Sequence, residues 1–440
     1  MKSVNRILLT VGCALLLIVS WITAISAKND TQLQAELLEQ SDVYYQDEIY
    51  IRCVPLLEQA ASYHGNLTDE AESRLKDVYL KLIDQKGYPR KYTELLEREM
   101  ARTNAPASVF SEAAHYYMER EKWADAIPIL RNGVEKTNDP ELVELYENNR
   151  YRYKLGRNFY ADATQIYNGA LQVFDGENWG LARADGELVL PCIYDKISTY
   201  SSDRVIVQKD KVISAVDKDN NRIALLHEPA LDFTNFGQSR AWLNLGNSWT
   251  LTDDEFTLGT GGMEDAGMYS NGLVPVKKNG KWGMTDLSAG SWFLEPQYDN
   301  IIRDELGRAF FQNSVFVKTG GQVTRLELDE KGKHFVETGE SYEDAKPFGE
   351  NYAAVKKNGQ WGFIDTEGNV RIDFRFSNAA SFGQHLAAVE QNGKWGYISL
   401  SGAMVIEPQF LAAKNFNEGH APVKDENGWR ILTLIEYQGG

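Results

Sequence analysis

One five-residue string recurs with a single position varied: Asn279-Gly280-Lys281-Trp282-Gly283, Asn358-Gly359-Gln360-Trp361-Gly362 and Asn392-Gly393-Lys394-Trp395-Gly396. Each copy follows an alternating run of residues, Leu273 to Lys278, Tyr352 to Lys357 and Leu386 to Gln391. An Asn-Gly pair between two such runs is the strongest short hairpin signal, because a type I′ turn needs φ > 0 at two successive residues. A second turn follows at Glu367-Gly368 or Ser401-Gly402, then a third apolar run such as Phe293 to Pro296 or Met404 to Pro408. A unit this small cannot bury its own apolar face, so copies must pack on one another.

The copies are counted from two markers, the Trp and a large apolar residue 13 positions before it. Ile166 precedes Trp179, Phe236 precedes Trp249, Tyr269 precedes Trp282, Phe348 precedes Trp361, Phe382 precedes Trp395 and Phe416 precedes Trp429. Phe310 precedes Val323 by the same interval, with the Trp lost, and Tyr200 stands 12 before Val212. Successive first markers lie 34, 36, 33, 41, 38, 34 and 34 residues apart. A fixed internal offset with variable loops marks a structural repeat, here eight units over residues 153–440. The Trp is expected to bury about 150–250 Å² between units, and the following Gly to permit close backbone approach or a bulge. The eighth unit lacks its third strand. Lys154 to Tyr160 aligns with Met404 to Phe410, because Tyr160 and Phe410 each stand six residues before a first marker. Borrowing that strand removes both exposed sheet edges. We expect an eight-unit, closed, propeller-like ring, with an open β-solenoid as the alternative.

The units holding Trp282, Trp361 and Trp395 approach the pattern A-x-V-x-x-N-G-K-W-G-x-I-D/S-x-x-G and resemble the WG-repeat (KWG) family of bacterial proteins. The match is loose around Val212, Trp249 and Val323, and the last unit has Trp429-Arg430 in place of Trp-Gly. The resemblance implies a repeat architecture and no chemistry. Members of the family often carry a signal or an anchor.

Residues 28–152 follow the helical spacing of three and four, as at Leu33, Leu37 and Leu38 or Leu56, Leu57, Ala60 and Ala61. Phe110, Ala113, Ala114, Tyr117, Ala126, Leu130 and Gly133 have the spacing of a tetratricopeptide helix pair. Leu37, Tyr44, Cys53, Leu57 and Ala60 repeat it 73 residues earlier, and Leu80, Ile83 and Leu96 at an offset of 34. The segment resembles about three degenerate tetratricopeptide units, with an irregular helical bundle as the alternative. Cys53 falls on a small-residue position and is expected to be packed rather than bridged to Cys192.

Residues 1–27 set the expected location. Lys2 and Arg6 precede 21 uncharged residues from Ile7 to Ala27, about the length a bilayer core requires. With the charge ahead of the apolar run, the rest of the chain is expected outside the cytoplasmic membrane. The segment is read as an N-terminal transmembrane anchor, or as a signal peptide cleaved after Ala24-Ile25-Ser26. Cys13 is read as membrane-buried, because Thr10-Val11-Gly12 is a poor lipobox.

Composition bounds the function. A net charge of −17 argues against nucleic acid, whose phosphates need clustered Lys and Arg. None of the six His stands at metal-ligand spacing or pairs with a Cys, and His334, His385 and His420 are read as surface residues. Neither Gly-x-Ser-x-Gly nor a P-loop occurs. Asp217, Asp219, Asn221 and Glu228 occupy positions 1, 3, 5 and 12 of an EF-hand template, yet Arg222 stands where that loop needs Gly. The string, like Asp253-Asp254, reads as a turn. No catalytic, cofactor-binding or metal-ligating residue is nominated, and no cofactor or enzymatic activity is expected. The expectation is a non-catalytic extracytoplasmic scaffold for a protein or peptide partner, tied to the membrane through its N-terminal segment. A module for cell-wall or extracellular polysaccharide is the alternative; an exposed row of Trp or Tyr would favour it, and buried markers would favour protein binding. Contacts are expected from the helices and from the longest loops, those of the fifth unit at Ile301 to Leu306 and Asp329 to His334. Acids there favour a basic or neutral partner.

Overall fold

A computed structural model describes residues 28–286, 290–329 and 335–436. The expected anchor or signal over 1–27, and the loop from Asp329 to His334 apart from Asp329 itself, lie outside the described residues. Among the described residues no helix is long and apolar enough to cross a membrane. The chain divides into two compact units between Glu147 and Asn148.

The helical segment comprises α1 over 28–46, α2 Tyr50–Ser62, α3 Thr68–Lys81, α4 Tyr88–Ala101, α5 Ala107–Met118, α6 Trp123–Thr137 and α7 Pro140–Asn149. Its small residues do the work their spacing suggests. Ala113, Ala114 and Ala126 are fully buried, and a Cβ added at Gly133 would stand 2.7 Å from Phe110 Cβ, so only Gly lets α6 close on α5 there. Cys53 shares a core with Leu57 and Ala60. Its thiol donates to the Ser41 carbonyl at 3.5 Å, and Cys53 and Cys192 are both free thiols.

The second unit is a ring of eight antiparallel blades. Blade 1 is built from Asp162–Ala163, Ala170–Phe174, Trp179–Arg183 and Leu188–Tyr194, and the pattern recurs around the ring. The two-residue first strand of each blade, ahead of the first marker, is an element that the marker pattern does not announce. Blade 8 takes Ala412–Ala413, His420–Asp425 and Gly428–Leu434 from one end of the ring and Tyr153–Leu155 from the other. Tyr153 pairs with Leu434, Lys154 with Thr433 and Leu155 with Leu432. Tyr160 and Trp429 exchange two backbone hydrogen bonds at 2.8 Å. The ring is therefore closed, and the open solenoid is set aside. Blade 3 has three strands. Its outer edge is the Gly-rich stretch Leu258 to Gly262, too poor in strand formers to extend the ladder, and it contributes only single bridges such as Leu258 to Thr252.

The repeated string has two structural uses. Asn392 and Gly393 lie at φ of 54° and 76°, as the type I′ hairpin requires. After the Trp, a Cβ on Gly362 would stand 2.7 Å from the Ile372 carbonyl oxygen, where the ladder shifts register between Trp361 and Phe363. Arg430 escapes this constraint because its outer neighbour is the borrowed strand; its guanidinium donates to the Gly156 carbonyl at 2.7 and 3.0 Å.

The turn between the first and second strands ties neighbours together over part of the ring. Gln312 accepts from the Asn351 amide at 3.1 Å, Glu350 from His385 at 2.5 Å, Gln384 from Gly419, and Glu418 from Gly169 at 3.0 Å. This belt runs from blade 5 through blade 8 and across the closing seam to blade 1.

Candidate functional site: the channel of the ring

The marker positions are occupied by packing. Trp282, Trp361, Trp429 and Val323 are buried, and Trp179, Trp249 and Trp395 are half-buried. Only Val212 is exposed. The first markers are all buried or half-buried. The repeat therefore presents no exposed row of Trp or Tyr at these positions.

The acidic strings serve their own turns. Asp217 accepts from the Asp219 and Asn221 amides at 2.9 and 2.8 Å, and these backbone donors lower its pKa, with Asn221 the largest influence. Asp253 accepts from Glu255 and Thr257, while Asp254 pairs with Arg204 at 3.0 Å. His385 is exposed, and His334 lies outside the described residues. His420 is not a surface residue: it is half-buried in blade 8, with Nδ1 2.9 Å from Thr433 Oγ1.

Charged side chains gather in the channel instead. A cavity of about 970 Å³ is lined by the first strands of blades 2 to 6 together with Trp179 and Trp249. The first strands of blades 1 and 3 to 7 open on a recurring side-chain cap. Asp162, Asp232, Asp265, Asn300, Asp344 and Asn378 each accept, through Oδ1, from the next residue's amide at 2.8–2.9 Å.

The fifth-blade loop, expected to contribute contacts to a partner, turns into this channel. Glu305 accepts from the Gln165 amide of blade 1 at 3.2 Å and pairs with Lys414 of blade 8. Asn235 of blade 3 donates to the Leu306 carbonyl at 3.2 Å, and the Met268 amide of blade 4 donates to the Gly307 carbonyl at 3.0 Å. Asp304 accepts from the Leu306 and Arg308 amides and from the Arg308 guanidinium, which shapes the loop from within. Leu306 is buried, so the loop is held by packing as well. Burial raises the Glu305 pKa even though Lys414 opposes the shift, while its side chain keeps 33% of its surface open to the channel. Burial also lowers the Arg303 pKa, against the pull of Asp265. Arg303, Lys346 and Lys414 stand over the rings of Trp282, Trp361 and Trp429 at 4.0, 5.4 and 4.9 Å. The sequence does hold a signal for this arrangement: an Asp or Asn four residues before the first marker, as in Asp162 to Ile166, Asp232 to Phe236 and Asp344 to Phe348.

A family model described as "WG containing repeat" matches residues 179–212, 264–282, 341–361, 361–395 and 395–429. No curated protein matches the chain. Among solved structures, the chain is similar to the extracellular domain of BT4673 from B. thetaiotaomicron, at 13% identity and a TM-score of 0.36, over 57% of this chain and 42% of that one. It thus spans less than half of that domain's length. It is also similar to the Neurospora crassa Pan2 WD40 domain, at 9% identity and a TM-score of 0.35, over 63% of this chain and 90% of that one. Likenesses this distant carry no argument about function.

Proposed function

This chain is a WG-repeat protein, its repeats matched between residues 179 and 429, and from that premise we propose a non-catalytic scaffold for protein interaction at the outer face of the cytoplasmic membrane. The observation that carries the reading is that every aromatic marker residue is buried or half-buried. A glycan platform needs exposed aromatic faces, and here no marker Trp is exposed: Trp282, Trp361 and Trp429 are buried, and Trp179, Trp249 and Trp395 are half-buried. What is left for recognition is the surface of the helices and the channel of the ring. Helical arrays and β-rings both offer extended surfaces of this kind. The location rests on Lys2, Arg6 and the uncharged run to Ala27. The test is crosslinking of the full chain in its native membranes, followed by peptide mapping. A protein crosslinked reproducibly to the helices or the channel mouth is the expected result. Tight co-sedimentation with purified wall glycan, in the absence of any protein crosslink, would overturn the reading.

A further inference from the structure

Five Asn-Gly pairs form the two-residue loop of a tight turn in the ring: Asn168-Gly169, Asn271-Gly272, Asn279-Gly280, Asn358-Gly359 and Asn392-Gly393. Their φ values agree, 51–54° at Asn and 75–80° at Gly, and all five Asn are exposed. They differ in what the Gly amide meets. In three turns it donates to a carboxylate. Gly280 donates to both oxygens of Glu264 at 2.9 and 3.2 Å, and Gly359 to both oxygens of Glu343 at 3.1 and 3.2 Å. Gly169 donates to Glu418 across the seam at 3.0 Å. The Gly393 and Gly272 amides have no acceptor among the described residues. Ser377 stands 16 residues before Gly393, the place that Glu264 and Glu343 hold before Gly280 and Gly359. Gln238 takes in the turn of blade 3 the place of Glu418 in that of blade 8, and it makes no bond to Gly272.

An Asn before Gly is open to attack by the next residue's backbone, because Gly has no side chain to obstruct the approach. The Gly nitrogen gives up its proton and bonds to the Asn Cγ. The Cγ–Nδ2 bond breaks, and Nδ2 leaves as ammonia. Water then opens the five-membered imide at either carbonyl, giving aspartate or isoaspartate. One water enters, one ammonia departs, and nothing is oxidised or reduced. A carboxylate on the amide opposes the first step twice. Its charge-assisted hydrogen bond, about twice as strong as a neutral one, must break before the nitrogen attacks. Its negative charge also disfavours a second negative charge on that nitrogen.

We propose that Asn392 and Asn271 are sites of spontaneous hydrolytic modification to aspartate and isoaspartate, and that Glu343, Glu264 and Glu418 shield Asn358, Asn279 and Asn168 from it. The isoaspartate product adds a backbone atom to a two-residue loop and so breaks the type I′ turn of blade 7.

The experiment is incubation of the full chain in detergent at mildly alkaline pH, with peptide mapping by mass spectrometry at the five turns over time. In the folded chain Asn392 and Asn271 are expected to convert about tenfold faster than Asn358, Asn279 and Asn168. In the chain unfolded by guanidinium all five are expected to convert at similar rates, because they share the Asn-Gly pair. Two variants exchange the acceptor at exposed positions. Glu343→Ser is expected to raise the Asn358 rate about tenfold, and Ser377→Glu to lower the Asn392 rate as much, both with an unchanged melting temperature. Equal rates at Asn392 and Asn358 or at Asn271 and Asn168 in the folded chain would overturn the proposal. So would no conversion at Asn392 while the unfolded chain converts, or an unchanged rate at the altered turn in either variant.

Discussion

Gly396 and Gly393 lie three residues apart in blade 7, yet alanine should cost very different amounts at the two positions. A Cβ at Gly396 would stand 2.8 Å from the Pro408 nitrogen and 2.9 Å from the Glu407 carbonyl carbon, and closer still to the Ile406 carbonyl oxygen. All three are backbone atoms of the neighbouring strand, so no side chain can swing aside. Overpacking of this kind costs typically 1–3 kcal/mol, and a clash with ladder backbone belongs at the upper end, about 3 kcal/mol. Gly393 has φ of 76° and nothing within 4 Å of its Cβ position, so Gly393→Ala pays only the left-handed backbone penalty, about 1 kcal/mol. At roughly 2–3 °C per kcal/mol for a domain of this size, Gly396→Ala should lower the melting temperature by about 6–9 °C and Gly393→Ala by about 2–3 °C. Thermal unfolding followed by tryptophan fluorescence measures both. Equal shifts, or a larger one at Gly393, would refute the claim that the Gly after Trp is required for close strand approach.

The closing seam and the buried thiol make three further predictions. Arg430→Ala removes two hydrogen bonds to the Gly156 carbonyl. It should cost about 1–2 kcal/mol and speed amide exchange at Tyr153 to Leu155, read by exchange mass spectrometry. His420 has its pKa lowered by burial first and by Lys154 second, from an ordinary value of 6.5. Its folded pKa is below its unfolded one, so its stabilising contribution is complete above about pH 6.5 and is lost as pH falls through the folded value; melting temperature against pH should show this acid loss flattened in His420→Asn. Burial raises the Cys53 pKa, and the thiol lies in the helical core; alkylation of the native chain should label half-buried Cys192 first and reach Cys53 only on unfolding.

Much of the ring was legible because its residues are chosen by geometry. Asn-Gly demands one turn, Trp at a fixed offset fills one gap between blades, and the alignment of Tyr160 with Phe410 located the borrowed strand. The two-residue first strands were not, since Asp265-Ala266 or Lys196-Ile197 is too short to carry a period. The destination of the fifth-blade loop was also hidden. Length and acidity marked Ile301 to Leu306 as a partner-contacting loop, but its fate depends on Gln165, Asn235 and Lys414, residues far away in sequence. The half-buried state of His420 arises in the same way from the seam, where Thr433 and Lys154 meet it. Helix spacing found α5 and α6 through Phe110, Ala113, Ala126 and Gly133, because small residues are what close packing needs.

Ring closure is the claim on which the channel, and everything proposed for it, depends. Tyr153 and Leu434 are direct partners across the seam. They are a non-hydrogen-bonded pair, since the flanking bonds run between Arg152 and Ile435 and between Gly156 and Ile431. In such pairs the Cα atoms approach to about 4.5 Å, within disulfide range. The decisive measurement is peptide mapping of the Tyr153→Cys, Leu434→Cys chain after mild oxidation in the folded state. The closed ring predicts an intramolecular 153–434 disulfide in nearly every molecule. Two free thiols, or disulfides only between separate chains, would contradict it.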